Sequence, residues 1–272
     1  MRQHQCCSKQ GARVIRRIAM LCLLAPFAAG CAGVTDKGYW GAAVAWPDGQ
    51  RLARSAINAA RSPHTWAPLA GAVVFAATDL DEEVSDWAVR KKPLFGEDAE
   101  SASDTLRGLS AGSYLLTAIA VPSDSAASRA SGLAVGLSTV TLERLTVSGL
   151  KALSDRERPD GSDNQSFPSG HTSLATATAS MAADNLSYAD APDWVLATSR
   201  IGFYGLAAGT GWARVEAEKH YPSDVLAGYA IGAFLARFMS EAFLTGGGTP
   251  DMQLNATPLP GGAALTLRVV LH

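Results

Sequence analysis

The sequence predicts an all-α fold, a helical bundle that ends in a short C-terminal β-hairpin. Hydrophobic residues make up 47% of the 272 residues and aromatic residues only 7%, and the abundance of Ala, Leu and Gly suits closely packed helices better than strands. Apolar stretches of helix length recur along the chain, which is long enough to bury a large core. Near the C-terminus, Leu265, Leu267, Val269 and Leu271 alternate instead, as in a strand.

The first 30 residues have the organisation of a secretory signal peptide. Basic residues precede an apolar run at 18–27, and Ala28-Ala29-Gly30 precedes Cys31. The run is short for a permanent transmembrane anchor. This segment holds five of the 23 basic residues and none of the 25 acidic ones, so the remainder has a net charge near −7. That charge argues against a nucleic-acid partner.

All four cysteines, Cys6, Cys7, Cys22 and Cys31, lie at or before the expected cleavage point, so the mature body has no disulfide chemistry. Ala-Ala-Gly-Cys resembles a bacterial lipobox, in which Cys31 becomes the lipidated first residue. Ala28 stands where Leu is usual, so cleavage without lipidation remains the alternative. Ala after the cysteine resembles a sorting signal for the outer membrane. We therefore expect an exported, periplasm-facing lipoprotein of the outer membrane.

Sequence periodicity and punctuation divide the rest of the chain into an N-terminal arm at 31–65, a helical domain at 66–245, and a Gly-rich linker with the hairpin at 246–272. Helices are predicted at 50–60, 66–78, 106–121, 132–150, 173–183, 201–213 and 223–238. The polar segment 85–104, broken by Pro93 and Gly96, is expected to be a loop with short helical turns. Strands are predicted at 252–257 and 264–271, around a Pro-Gly turn and packed on the body.

None of the apolar runs reaches the ~18 to 20 uninterrupted residues that a membrane-spanning helix needs. Glu143, Arg144 and Arg237 interrupt the runs where a span would have to continue. The sequence therefore favours a soluble bundle that is tethered by a lipid.

Three polar clusters stand out between residues 151 and 224. In the first, Lys151 ends a predicted helix and Arg158 is biased toward an extended conformation by Pro159. These two cations can close on one anion from two sides, with the planar fork of arginine matching phosphate oxygens. The charged residues at 155–157 between them are expected to face solvent. Taken alone, Lys151 and Arg158 would be ordinary surface cations.

The second cluster, Pro168-Ser169-Gly170-His171, opens a predicted helix. A helix N-terminus offers unpaired N–H groups to an anion, Gly170 permits close approach, Ser169 adds a hydroxyl, and His171 can act as acid or base. In the third cluster, Arg214 lies six residues before His220, and Asp224 lies four after it. Asp224 is expected to accept a hydrogen bond from His220, which leaves the other ring nitrogen as a nucleophile. A capped helix and an unremarkable turn are the alternatives.

In order and spacing, the clusters Lys151-x6-Arg158-Pro159, Pro168-Ser169-Gly170-His171 and Arg214-x5-His220-x3-Asp224 resemble the signature of the type 2 phosphatidic acid phosphatase (PAP2) superfamily. That superfamily includes acid phosphatases, lipid phosphate phosphatases and vanadium haloperoxidases. The chain departs from the pattern at Ala213, where Ser is usual, and in the short interval between Pro159 and Pro168.

The resemblance implies a bundle of the PAP2 and vanadium haloperoxidase type, with the catalytic domain at 66–245. His220 would attack phosphorus and form a phosphohistidine, Asp224 would hold its imidazole, and His171 would protonate the leaving group and later activate water. The residues implied to bind phosphate are Lys151, Arg158, Ser169, Gly170 and Arg214.

The function implied is hydrolysis of phosphate monoesters, including lipid phosphates or pyrophosphates, without a metal or other cofactor. No group of His, Asp and Glu in the sequence has convincing spacing for metal ligands. Two alternatives stay open: a vanadium-dependent haloperoxidase, and a non-catalytic envelope lipoprotein, which the missing hydroxyl at Ala213 encourages. The expected partners are a phosphorylated lipid or small phosphomonoester and, through Cys31, a membrane.

Overall fold

The computed structural model describes residues 35–244, 252–259 and 262–269. Within these residues the fold is a bundle of eight α-helices followed by two strands. In chain order the helices are α1 (Gly49–Arg61), α2 (Pro63–Ala76), α3 (Leu80–Lys91), α4 (Ala99–Ala120), α5 (Ala126–Ser154), α6 (Gly170–Asn185), α7 (Asp193–Glu216) and α8 (Pro222–Met239). Single 3₁₀ turns precede α4 and follow α6, and a π-helical turn at Ser240–Leu244 extends α8.

The close packing of α8 on α6 determines where the polar clusters meet. A Cβ atom added at Gly228 would lie 2.4 Å from the carbonyl oxygen of Ser169, and one at Gly232 would lie 2.2 Å from that of Ser173. Only glycine permits the two backbones to approach so closely. The N-termini of both helices consequently lie at one end of the bundle, where the Ser169 N–H donates to the Asp224 carbonyl over 3.0 Å.

The segment before α1 packs against the bundle through Trp40. Trp40 is fully buried, its ring lies against Gly132 of α5, and its backbone N–H donates to the Pro122 carbonyl over 2.8 Å. A Cβ atom at Gly132 would lie 2.6 Å from the Trp40 ring, so the glycine makes room for the indole.

The prediction of a loop over residues 85–104 was wrong. Helix α3 continues through Lys91, and α4 begins at Ala99, seven residues before its predicted start. The acidic run Asp81–Glu83 forms the first turn of α3, where carboxylates interact favourably with the helix dipole.

The predicted C-terminal β-hairpin, with strands at 252–257 and 264–271, also needs correction, because the strands have other bounds. Strands β1 (Met252–Leu259) and β2 (Gly262–Val269) pair antiparallel with each other, and Leu259 lies opposite Gly262. Pro258, Leu259 and Gly262, which were predicted to lie in the turn, belong to the strands. Alternating apolar residues indicate a strand, but the turn determines its register. The helices alone define the architecture of the body.

One helical segment of the described residues is long and apolar enough to cross a membrane. It runs over Pro222–Leu244, with 23 residues and a mean hydropathy of 1.2, and 56% of its most apolar window is buried inside the bundle. Glu143, expected to interrupt a span, is instead buried at 1% exposure, and Arg237 pairs with Glu241 over 2.8 Å.

Candidate active site

The three polar clusters come together at one end of the bundle. The C-termini of α5 and α7 carry Lys151 and Arg214, and the N-termini of α6 and α8 carry His171 and Asp224. His220 lies in the short connection just before α8. The charges on these elements are close enough to alter one another's pKa values.

Lys151 and Arg158 lie on either side of the loop that joins α5 to α6. Lys151 Nζ donates to the Gln165 carbonyl, and burial together with the positive charge of Arg158 lowers the pKa of Lys151 to about 8. Arg158 Nε donates to Asp163 over 2.6 Å, and its Nη1 donates to the Lys219 carbonyl over 3.2 Å. These bonds hold the Arg158 guanidinium in place through its Nε and Nη1 groups and do not use its Nη2 group.

Arg214 is the most deeply buried cation of the three clusters, at 5% exposure. Its Nη1 makes one long hydrogen bond, 3.4 Å, to Ser103 Oγ, and its buried Nε has no hydrogen-bond partner among the described residues. Burial and the neighbouring Arg158 charge lower the pKa of Arg214. A buried guanidinium with an unused donor is unfavourable unless an anion completes the site.

His220 is 2% exposed, and burial lowers the pKa of its imidazole to about 4 against the opposing influence of Asp224. Its Nδ1 lies 2.6 Å from the Ser166 carbonyl oxygen, which can only accept, so Nδ1 carries the proton. The neutral ring therefore presents a lone pair on Nε2. The expected direct hydrogen bond to Asp224 is absent, since Nδ1 lies 3.9 Å from Oδ2.

Asp224 acts on His220 through Ser166. The fully buried carboxylate accepts hydrogen bonds from Ser166 Oγ at 2.5 Å, from the Tyr221 N–H at 2.9 Å and from Arg156 Nη1 at 2.7 Å. Burial alone would raise the pKa of Asp224, but the surrounding His220, Ser166 and Arg156 outweigh it and hold that pKa below its usual range. The carboxylate thus fixes the residue whose carbonyl orients the imidazole.

The prediction that all of residues 155–157 face solvent was wrong for Arg156. Its Nη1 donates to Asp224 and to Ser223 Oγ, both at 2.7 Å, and its Nη2 donates to Asp81 over 2.9 Å. The guanidinium also lies 4.3 Å from the centre of the Tyr221 ring. Asp81 is 4% exposed, so the two carboxylates that Arg156 joins are both buried.

His171, in the first turn of α6, has a carboxylate partner that the sequence did not indicate. Its Nε2 lies 3.0 Å from Asp104 Oδ1 on α4. Burial, reinforced by the Arg214 charge, lowers the pKa of His171 to about 4, while Asp104 opposes that shift. The side chain keeps 25% of its surface exposed, so the imidazole is accessible from solvent.

Helix α6 begins at Gly170, just after Ser169. Ser169 precedes the helix as its N-cap, and its hydroxyl lies 3.0 Å from Thr172 Oγ1 rather than on a backbone N–H. The first turn contains no acidic residue, so its N–H groups remain suited to an anion. Ala213, where the family usually has Ser, is completely buried.

Glu216 holds the segment before α4 against the end of α7. Its buried carboxylate accepts from the N–H groups of Leu94 and Phe95, at 2.9 and 2.8 Å, and from Trp212 Nε1 at 2.5 Å. Glu216 lies two residues beyond Arg214, so this contact fixes the same end of α7 that carries the buried cation. The described residues contain no group of three or more His, Cys, Asp or Glu that could hold a metal ion.

A neutral, buried histidine that lies among three cations and a helix N-terminus has the features of an oxyanion-binding site. Residues 130–245 match the model of the PAP2 superfamily. The match covers the α5 to α8 region, and with it every residue of the three clusters.

Two known proteins resemble the chain. A lipid A 1-phosphatase from Porphyromonas gingivalis is 39% identical over 77 residues, which are 28% of this chain and 16% of the relative. The matched stretch is therefore a small part of that protein's length. A crystal structure of a transmembrane PAP2-type phosphatidylglycerolphosphate phosphatase from Bacillus subtilis has 23% identity and a TM-score of 0.46, and the match covers 70% of this chain and 92% of that one.

Proposed function

We propose that the protein is a phosphatase that hydrolyses phosphate monoesters through a phosphohistidine on His220. The observation that carries the proposal is Arg214, a buried guanidinium whose Nε has no partner among the described residues. The positive charge of Arg158 contributes to lowering the pKa of Arg214, and that of Lys151 contributes to lowering the pKa of His220, so these cations lie close together. A tetrahedral dianion would neutralise these cations and use the free donors.

In the first step, Nε2 of His220 attacks phosphorus, a P–N bond forms, and the P–O bond to the leaving group breaks. His171 gives its proton to the departing alkoxide. Asp104 at 3.0 Å supports the protonated imidazole, and the negative charge of a phosphate dianion beside His171 raises the pKa of that imidazole above about 4.

The equatorial oxygens would be held by Lys151, by the Nη2 group of Arg158, by Arg214 and by the start of α6 at Ser169 and Gly170. These donors are fixed before the substrate arrives, so they stabilise the developing charge without reorganisation. In the second step, His171 takes a proton from water, the resulting hydroxide attacks phosphorus, and the P–N bond breaks to release inorganic phosphate and free His220.

We infer that the substrates are phosphorylated lipids. Leu153, two residues from Lys151, is 84% exposed, and Leu94, in the segment held by Glu216, is 66% exposed. Apolar side chains of this size beside an anion site suit an amphiphilic substrate. The named activity of the lipid A 1-phosphatase relative is consistent with this inference.

We further propose that the protein is exported and anchored through lipidated Cys31, which lies outside the described residues. The support is the arrangement of basic, apolar and small residues in the first 31 positions. Cells fed radiolabelled fatty acid should label the wild-type protein and leave Cys31→Ser unlabelled. Equal labelling of both proteins, or of neither, would overturn the anchor.

Purified protein assayed on a panel of lipid and soluble phosphates tests the activity directly. We expect release of phosphate, faster from lipid phosphates, and none from His220→Ala at an unchanged thermal midpoint. Undiminished turnover by His220→Ala, or turnover that requires added Mg²⁺, contradicts the mechanism. Bromide oxidation with added vanadate and peroxide, in the absence of phosphate release, would identify the haloperoxidase alternative, and neither activity would indicate the non-catalytic one.

A further inference from the structure

Behind the candidate nucleophile, Asp224 is joined to two charged residues, Arg156 and Asp81, that were not predicted to belong to the site. Arg156 links two buried carboxylates, Asp81 from α3 and Asp224 from α8, at 2.9 and 2.7 Å. Asp81 also accepts from the N–H of Ser223 at 2.8 Å and from the Ser223 hydroxyl. The first turn of α8 is therefore held by Asp81 and Arg156 together.

Arg156 is connected to His220 by two routes that meet at Ser166. Its side chain binds Asp224, which accepts from Ser166 Oγ at 2.5 Å, and its own carbonyl accepts from the Ser166 N–H at 2.9 Å. The Ser166 carbonyl in turn accepts from His220 Nδ1 at 2.6 Å. Displacement of the guanidinium would move the peptide that orients the imidazole.

We propose that Arg156 and Asp81 are positioning residues of the phosphoryl-transfer site, which act on His220 through Asp224 and Ser166 and do not touch the substrate. The inference rests on the proposed function for its kinetic part only. Its structural part, the control of the His220 environment by the Asp81–Arg156 pair, stands on the contacts alone.

The two residues have opposite electrostatic effects on the imidazole. Arg156 offsets the charge of Asp224, so its loss exposes His220 to an uncompensated carboxylate and favours the imidazolium. Asp81 competes with Asp224 for the same guanidinium, so loss of the Asp81 charge leaves Arg156 more fully on Asp224. The other charged groups that face His220 are Lys151 from α5 and Arg214 from α7, and both remain in the variants.

Arg156→Lys and Asp81→Asn test the proposal, with Arg237→Lys as the control. Lysine cannot bridge two carboxylates with a planar fork, so it compensates the charge of Asp224 less fully than Arg156 does. Arg237 lies on α8 as well and is also partly buried in an ion pair, with Glu241 over 2.8 Å. Thermal midpoints and near-UV circular dichroism of all three variants establish the folded fraction before any other measurement.

Steady-state hydrolysis of para-nitrophenyl phosphate from pH 4 to 9 provides the kinetic readout. Arg156→Lys should lower kcat by roughly 10- to 100-fold, since a misplaced nucleophile costs that much, with KM within about threefold of wild type. The acid limb of the kcat–pH profile should move to higher pH in Arg156→Lys. In Asp81→Asn that limb should move to lower pH or stay in place. Arg237→Lys should match the wild type. Unchanged kcat in Arg156→Lys, or a loss that matches its folded fraction without a shifted limb, overturns the proposal.

Titration of the His220 ring by ¹⁵N NMR separates this inference from the proposed function. The midpoint should rise in Arg156→Lys and fall or stay the same in Asp81→Asn, whether or not the wild type hydrolyses any phosphate. If the wild type has no phosphatase activity but the midpoints shift as stated, the function fails and the positioning network stands. Identical midpoints in all proteins would refute the network itself.

Discussion

The neutral state of His220 makes a quantitative prediction about stability and pH. An unfolded histidine titrates near pH 6.5, whereas burial lowers the pKa of folded His220 to about 4. Between these values the unfolded chain binds a proton that the native site resists, so stability falls as the pH decreases from 6.5 to 4. A shift of this size corresponds to about 3 kcal/mol, or roughly 1.4 kcal/mol for each pH unit.

His220→Gln removes this group and keeps a polar side chain of similar reach. Urea unfolding followed by tryptophan fluorescence at several pH values from 7.5 to 4 gives the free energy of unfolding of both proteins. The wild type should lose about 3 kcal/mol more than the variant over this interval. The low pKa of Asp224 places its own contribution at more acidic pH, where that carboxylate becomes protonated.

His171→Gln serves as a second comparison, because burial and the charge of Arg214 also lower the pKa of His171 to about 4. Its pH dependence should be shallower than that of the wild type, in the same window. Parallel stability curves for wild type and His220→Gln would show that the imidazole titrates normally, and would refute a neutral, preorganised nucleophile.

Three further predictions concern the surrounding groups. Arg214→Met should reduce kcat/KM by about 10²- to 10³-fold. The thermal midpoint should not fall, because the substitution removes a buried guanidinium with an unused donor. A destabilised variant with near-normal activity would contradict the anion site. The pKa of Lys151 is about 8, so KM for phosphate esters should rise above pH 8 as the ammonium loses its proton, and Lys151→Arg should abolish that rise; a KM that rises equally in both proteins would contradict it. Glu216→Ala leaves three donors without their acceptor and should lower the free energy of unfolding in urea by about 2 to 4 kcal/mol. As a control, Glu83→Ala at an exposed position should change that free energy by less than about 1 kcal/mol. Equal effects would show that the Glu216 contacts contribute little.

Most of the helices, and the helix termini at which the polar clusters lie, could be predicted from the local sequence. Apolar periodicity indicates the bundle, and the Pro-Ser-Gly-His sequence marks the start of α6 because proline, a capping residue and glycine each favour a helix start. The placement of Lys151 in the last turn of α5 follows from the same local signals.

The contacts behind the nucleophile could not be predicted in this way. Arg156 and Asp81 are separated by 75 residues, and Asp104 and His171 by 67, so their pairing depends on how the helices assemble. The acceptor of the His220 proton is the backbone carbonyl of Ser166, and a backbone group has no signature in the sequence. The side chain of Arg156 points inward because it pairs with two buried carboxylates, Asp81 and Asp224. The local sequence, a charged run between two helices, does not indicate these pairs.

Detection of phosphate on His220 is the most direct test of the central claim. Acid would cleave a phosphohistidine, so rapid quench into alkali, followed by proteolysis and mass spectrometry, should find phosphate on the peptide that contains His220. The adduct should accumulate further in His171→Ala with an activated ester, because that variant lacks the base for the second step. Phosphate on another residue, or continued turnover with no adduct on His220, would contradict the mechanism.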